Sequence, residues 1–370
     1  MANKKIPILS FFSGGGFLDM GFEMAGFNVV WTNENNETFA NMHAAGITSW
    51  RAARGNNAKA EIFNTCSIED ITPEQILAEA FKNKLPEKFG VIGGPPCQDF
   101  STGGSNAGME GERGKLTKLF FRYILKMSPH FFVFENVRNL FNNNKHKVAL
   151  EKILKIVKKQ YIIDHKILNA MIAGVPQDRD RLFIIGIKKT GLPPEKRKKG
   201  VSKFSWPKNK KYENARTAYK WPTKSRFKGS PSIPQKIPAE LYVNGCLLGK
   251  REEATIPNGK EYFKAYAEQI WTIEEGNTRK RSFKRLHRYR YSPTACYGNN
   301  EVHLHPFLPR RLSVREALRI QSVEDTYILP ADITMTQKFQ MIGNGVPVKL
   351  AYAVAKTVKN AVNQNNKNLR

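Results

Sequence analysis

The side chains best placed by type and spacing to do chemistry are Cys97, Glu135, Arg179 and Arg181. Cys97 follows Gly93, Gly94, Pro95 and Pro96, which close a short apolar strand over 90–93. A thiol at the carboxyl end of a strand lies where open α/β sheets bind ligands. The glycine-rich stretch after it suits a loop that closes over a substrate, so Cys97 reads as a nucleophile. Most cysteines, taken singly, are small buried hydrophobes. Glu135 ends the apolar strand Phe131–Phe134. Burial there would raise its pKa and let it donate a proton or hydrogen bond; a cap or a salt-bridged acid is the simpler role for it alone. Arg179 and Arg181 lie in Gln177–Arg181, just ahead of the strand Leu182–Ile187. Alternate residues of an extended chain share a face, so the two arginines should project together, with Asp178 and Asp180 as possible partners.

A second group reads as a cofactor site. Phe12, Ser13, Gly14, Gly15 and Gly16 follow the strand Ile6–Phe12 and precede a helix over Leu18–Ala25. Glycines there allow backbone to approach a ligand at a helix N-terminus. The next strand, Asn28–Thr32, leads to Glu34, twenty residues after Gly14 and placed to bind ribose hydroxyls. The GxGxxG fingerprint is absent, which disfavours NAD relative to another nucleoside.

The elements that must hold these residues alternate between strand and helix. Thr72–Gln75 is a capping box that opens a helix reaching about Lys84. Leu116–Met127 and Val148–Lys159 have helical periodicity, and Tyr161–Leu168 pairs with Leu182–Ile187. This pattern implies an α/β, doubly wound, mostly parallel sheet, on which the cofactor turn, the thiol and the carboxylate meet in one crevice. Beyond Ile187 the periodicity fails. A smaller irregular domain over 188–339 is expected, and a main domain of 1–187 plus 340–370 that the last helix rejoins. Ser313–Glu316 is a further capping box.

The chain of 370 residues carries 60 Lys+Arg against 32 Asp+Glu, a formal charge of +28. Lys188–Lys228 holds fifteen bases and two acids, and Arg279–Arg290 holds seven bases and no acid, both interleaved with aromatics. Such a surface suits phosphate tracking and base stacking. At 41% apolar the chain can bury a core, which excludes whole-chain disorder. No run approaches a membrane span, the first residues lack a signal-peptide pattern, and the four cysteines show no CxxC spacing. A cytoplasmic protein with no membrane association, no disulfide framework and no metal is expected.

Taken together, these residues resemble the motif series of the DNA (cytosine-5) methyltransferases. Phe12–Gly16 with Gly21–Glu23 is similar to the family's S-adenosylmethionine motif, Glu34 to its ribose-binding acid, and Gly94–Ser101 to its catalytic loop. Arg113–Leu116, Glu135–Val137, Gln177–Arg181, Arg311–Glu316 and Gly343–Val346 match the following motifs in order. The match covers about 6–187 and 309–358. Three positions depart from the family pattern: Ser10 often is Asp, Phe17 often is Gly, and Ser67–Ile68 stand where an acid commonly contacts adenine.

The resemblance implies a Rossmann-like methyltransferase sheet with a target-recognition domain in the basic stretch. It implies that S-adenosylmethionine contacts Phe12–Gly16, Glu34, Ile68, Pro96, Leu116, Asn344 and Val346. Double-stranded DNA would be held by Gln98, Ser101 and Arg113, with Arg279, Lys280, Arg281, Lys284 and Arg285 on the second basic patch. It gives Cys97 the addition to cytosine carbon 6, Glu135 the hydrogen bond to ring nitrogen 3, Arg179 the base carbonyl, and Arg181 the orientation of the site. The base must be flipped out of the duplex. A restriction-modification role, a cognate endonuclease and a monomer are the corresponding expectations. A tRNA cytosine-5 methyltransferase and a catalytically silent DNA-binding protein are the competing readings.

Overall fold

The computed structural model describes residues 5–56, 64–82, 84–96, 112–189, 204–264, 266–298 and 301–367. In chain order its first elements are β1 (Pro7–Phe11), α1 (Phe17–Met24), β2 (Asn28–Asn33), α2 (Glu37–Ala52), α3 (Pro73–Phe81), β3 (Gly90–Gly93) and α4 (Glu112–Met127). There follow β4 (Phe131–Val137), α5 (Asn139–Asn142), α6 (Asn144–Val157), β5 (Tyr161–Asn169) and β6 (Asp180–Lys188). The remaining helices are α7 (Ala215–Ala218), α8 (Lys250–Thr255), α9 (Val314–Ile320), α10 (Met335–Asn344) and α11 (Val348–Lys367).

The six strands form one sheet in the order β2-β1-β3-β4-β6-β5. The first four pair in parallel, while β6 runs antiparallel to both β4 and β5. Side chains of a strand alternate between faces, and β4 shows it. Phe131 and Val133 join a core with Phe22, Leu350, Val354 and Val358 from α1 and α11, while Phe132 and Phe134 join another with Phe120, Phe121, Leu150 and Leu154 from α4 and α6. Helices therefore cover both faces, as expected of a doubly wound sheet.

Local chemistry explains most boundaries. The Thr72–Gln75 capping box forms reciprocally, but α3 ends at Phe81 rather than near Lys84, because Lys82 turns into the left-handed region at φ 47°. The helix expected from Val148 begins at Asn144, where the Asn143 side chain accepts from the amides of Lys145 and His146. Two helices of ten residues or more have no counterpart among the elements expected from the sequence. α2 mixes small and polar residues with its apolar ones, with its start marked by the Asn36 cap on the Phe39 amide, and α10 is capped by Thr334. Between β6 and α9 the described residues contain short helical turns and isolated bridges. Among the described residues no helix is long and apolar enough to cross a membrane.

A third core lies at the carboxyl end of the sheet. It joins Phe17 and Met20 of α1, Met42 and Ile47 of α2, and Leu318 of α9 with Phe339 of α10, Leu286 and Tyr297. This cluster packs the irregular stretch against the helices that frame the cofactor turn.

Candidate active site

β3 and β4 lie side by side, with Gly93 opposite Phe134, so Gly94, just past the end of β3, comes beside Glu135 of β4. They are in close contact: a Cβ on Gly94 would stand 2.6 Å from Glu135 Oε2. Any side chain at Gly94 would collide with the carboxylate, which is a packing reason for glycine here. Pro95 is buried, and its carbonyl accepts from Asn136 Nδ2 at 3.1 Å, fixing the shelf that leads toward Cys97. Cys97, Gln98 and Ser101 lie outside the described residues, as does the Arg113 side chain. Pro96 is exposed, and Leu116 is half-buried on the first turns of α4.

Glu135 is buried, and Arg181 Nε stands 2.9 Å from its Oε1. Burial pushes the Glu135 carboxyl above its usual range; Arg181 and Arg179 pull the other way without overcoming it.

The two arginines do not share one environment. Arg179 is fully buried and donates to the backbone carbonyls of Ala295 at 3.0 Å, Gly343 at 2.6 Å and Gly345 at 2.9 Å. It thereby fastens β6 to the Tyr297 segment and to the α10–α11 turn. Gln177 supports the same junction: its Oε1 accepts from the Ala295 amide at 3.1 Å, and its Nε2 donates to Gln321 Oε1 at 3.2 Å. The Nη1 and Nη2 donors of Arg179 meet protein acceptors, and Arg181 is the cation beside the carboxylate.

The other end of the crevice is the cofactor turn. Phe12, Gly14 and Gly16 all adopt positive φ (55°, 52° and 76°), so the chain curls tightly from β1 into α1. Glu34, buried at the end of β2, accepts from the amides of Gly14 and Asn36, each at 2.9 Å. Burial raises its pKa, and those two amides oppose the rise. Beneath the turn, Asp19 accepts from Ser10 Oγ at 2.5 Å and meets His43 Nε2 at 3.0 Å. Ser10 therefore serves the fold directly. Phe17 packs edge-on against Tyr327 and fills the space above Gly345. Ile68 is buried, and its carbonyl accepts from Tyr123 Oη at 3.2 Å. Asn344 is exposed and Val346 buried at the start of the last turn.

The second basic patch divides by exposure. Arg279, Lys280 and Arg281 are exposed, Arg281 pairing with Glu301, and Lys284 is half-buried. Arg285 differs in exposure from the rest of the patch. It is fully buried, donates to the carbonyls of Ile270 and His305 at 2.5 Å each, and stacks 4.0 Å over Phe227. Its charge is spent on holding the irregular stretch together.

Residues 6–360 match the family described as C-5 cytosine-specific DNA methylase. The chain belongs to that family. It is a DNA cytosine-5 methyltransferase. Type II methyltransferase M.NmeDI of Neisseria meningitidis serogroup C is 38% identical over 371 residues, covering 96% of this chain and 84% of that protein. Type II methyltransferase M.FnuDI of Fusobacterium nucleatum is 30% identical over 376 residues, covering 98% and 96%. Among solved structures, a DNA modification methyltransferase encoded within an E. coli prophage aligns with TM-score 0.61 and 22% identity over 97% of this chain and 100% of the other. S. pombe Dnmt2 methyltransferase aligns with TM-score 0.60 and 14% identity over 96% and 99%. These last two likenesses bear on the fold, which is the Rossmann-like methyltransferase sheet.

The residues of the methylase's turn fit the S-adenosylmethionine on which the family depends. A Cβ built on Gly14 meets nothing within 4 Å, so the turn presents open backbone, and Glu34 offers a carboxylate suited to a vicinal diol. Several contributors had no local signature in the sequence. Gln321 and Tyr327 of the methylase act across 144 and 312 residues respectively, so their roles depend on tertiary closure alone.

Proposed function

We propose that this enzyme methylates carbon 5 of cytosine within one short sequence of double-stranded DNA, by base flipping and covalent addition of Cys97. The observation that carries this reading is the Glu135–Arg181 pair packed against Gly94, three residues before the thiol. Carbon 5 of cytosine is a poor nucleophile. Bond formation between Cys97 Sγ and carbon 6 makes it enamine-like, and a neutral Glu135 donating to nitrogen 3 offsets the charge pushed onto the ring. Arg181 holds the base carbonyl and keeps Glu135 in place, while Arg179 is a positioning residue. S-adenosylmethionine, when bound, would supply carbon 5 with a methyl group from its sulfonium and be left as S-adenosylhomocysteine; Phe12–Gly16, Glu34, Ile68 and Val346 would hold it. Loss of the carbon 5 proton to a base or water then breaks the carbon–sulfur bond and releases Cys97.

Residues 1–187 with 340–370 would form the catalytic domain, and 188–339 the target-recognition domain. Arg279, Lys280, Arg281 and Lys284 would face phosphates, with Gln98, Ser101 and Arg113 on the DNA side of the catalytic loop. We further propose that the enzyme works as a cytoplasmic monomer in a restriction-modification system with a cognate endonuclease; the Type II names of its relatives support the restriction-modification role alone. Incubation of the purified chain with methyl-labelled S-adenosylmethionine and either duplex DNA or total tRNA tests the substrate. Label confined to the DNA is expected. Label in tRNA alone would overturn the reading.

A further inference from the structure

Tyr327 reaches the cofactor turn from outside the elements that build it. It belongs to the segment after α9, yet its ring is fully buried against Phe17 and over Gly46. Its hydroxyl donates to the Gly15 carbonyl at 2.8 Å and lies 3.3 Å from the Met42 carbonyl, so one side chain bridges the turn and α2. Gly15 is otherwise hemmed in by Met341 of α10, whose sulfur would stand 2.1 Å from a Cβ there.

The other end of Tyr327 is tied just as firmly. Arg315, fully buried on α9, donates to the carbonyls of Tyr327 at 2.7 Å, Glu324 at 3.1 Å and Pro257 at 3.0 Å. Asn258 pairs with both the amide and the carbonyl of Leu329, each at 3.0 Å. Glu324 accepts from Trp50 Nε1 at 3.2 Å and from Arg54 at 2.5 Å, clamping the same segment onto α2. A continuous set of buried bonds therefore runs from residues 257–258 through Arg315 and Tyr327 to the backbone of Gly15.

We propose that Tyr327 is a positioning residue through which the segment between the basic stretch and α10 sets the shape of the cofactor turn, and so its affinity for S-adenosylmethionine. The physical ground is the Gly15 carbonyl. Between two positive-φ glycines it has no helix or strand to define its direction, and the Tyr327 hydroxyl defines it. The inference rests on the cofactor reading above and not on the identity of the methylated polymer. Since coupling free energy is reciprocal, any shift of the 257–258 segment on binding DNA would be felt at the turn through the same bonds.

The test uses the full chain and Tyr327→Phe, which keeps the ring and its packing and removes only the donor. Tyr161→Phe is the control, because it also deletes a buried hydroxyl–carbonyl bond, to Pro129 at 2.8 Å, at the far end of the sheet. Titration calorimetry with S-adenosylmethionine reads cofactor affinity without turnover. Leaving a buried acceptor unmet should weaken binding on the order of tenfold in Tyr327→Phe. Binding of duplex DNA without cofactor should stay within about twofold, as should cofactor binding by Tyr161→Phe. In turnover, KM for S-adenosylmethionine should rise while KM for DNA does not. Unchanged cofactor affinity in Tyr327→Phe, or an equal loss in both variants, would overturn the assignment. A wild-type chain that binds cofactor but methylates no DNA would overturn the proposed reaction instead, leaving Tyr327 to be judged on the calorimetry.

Discussion

Arg181 Nε lies 2.9 Å from Glu135 Oε1, whereas Arg179, two residues earlier and just ahead of β6, donates to the carbonyls of Gly343 and Gly345. Two arginines of one motif thus have separable jobs. Arg181→Ala should cut kcat/KM for DNA by about 100-fold, the scale of a lost electrostatic stabiliser, with little change in melting temperature. Arg179→Ala should instead destabilise the fold by about 3 kcal/mol, because it strands buried carbonyls. Thermal unfolding beside steady-state kinetics separates the two; equal stability losses would merge the roles.

Glu135 carries a pH signature. Its carboxyl is raised by burial against the pull of Arg181 and Arg179. The favourable contribution of the neutral form is complete below the unfolded-state pKa and is lost as pH rises through the folded one. Turnover should follow the same protonation and decline on the alkaline side. Glu135→Gln keeps a donor but cannot lend a proton, so methylation should fall about 100-fold or more and the alkaline decline should disappear. A pH–rate profile of the two proteins decides this; an unchanged alkaline limb in the variant would remove Glu135 as its source.

The second basic patch is expected to divide along its exposure. Arg279→Ala with Lys280→Ala should weaken DNA binding and lower the slope of log affinity against log salt by about 2, one for each lost phosphate contact. Arg285→Ala should lower stability and leave that slope unchanged if the protein stays folded. Salt titrations of binding check both.

Acid stability offers a further test. Burial lowers the His303 pKa from 6.5 to about 3, with its Nδ1 3.2 Å from Ser292 Oγ. The unfolded chain takes up this proton near 6.5 and the folded one resists it. Stability contributed by neutral His303 is therefore present above pH 6.5 and lost as pH falls toward 3. His303→Phe should flatten the dependence of unfolding free energy on pH in that window by about 1.4 kcal/mol per pH unit. Urea unfolding at pH 5 and pH 7 measures it.

The parts of this enzyme that local rules specify were legible in its sequence. The Thr72 and Ser313 capping boxes, the apolar run of β4 and the glycine turn after β1 each depend on neighbours within a few residues. Legibility ended where a role is set by distant contacts. Nothing around Arg179 distinguishes it from Arg181 until β6 pairs antiparallel with β4 and the α10–α11 turn closes over it. Arg285 sits in a run of cations and reads as a phosphate contact, although the fold buries it on carbonyls. α2 was silent because its buried face mixes Met42, Ile47 and Trp50 with Ala40, His43 and Gly46, which blurs the apolar stripe.

The most direct measurement is expression of the chain in a methylation-free bacterial host, with conversion sequencing of the genomic DNA, beside Cys97→Ser. The expected result is 5-methylcytosine at one short sequence, absent in Cys97→Ser while that variant still binds DNA. Methylation that persists in Cys97→Ser would contradict covalent catalysis by this thiol, and soluble wild-type protein that leaves the genome unmethylated would contradict the proposed function itself.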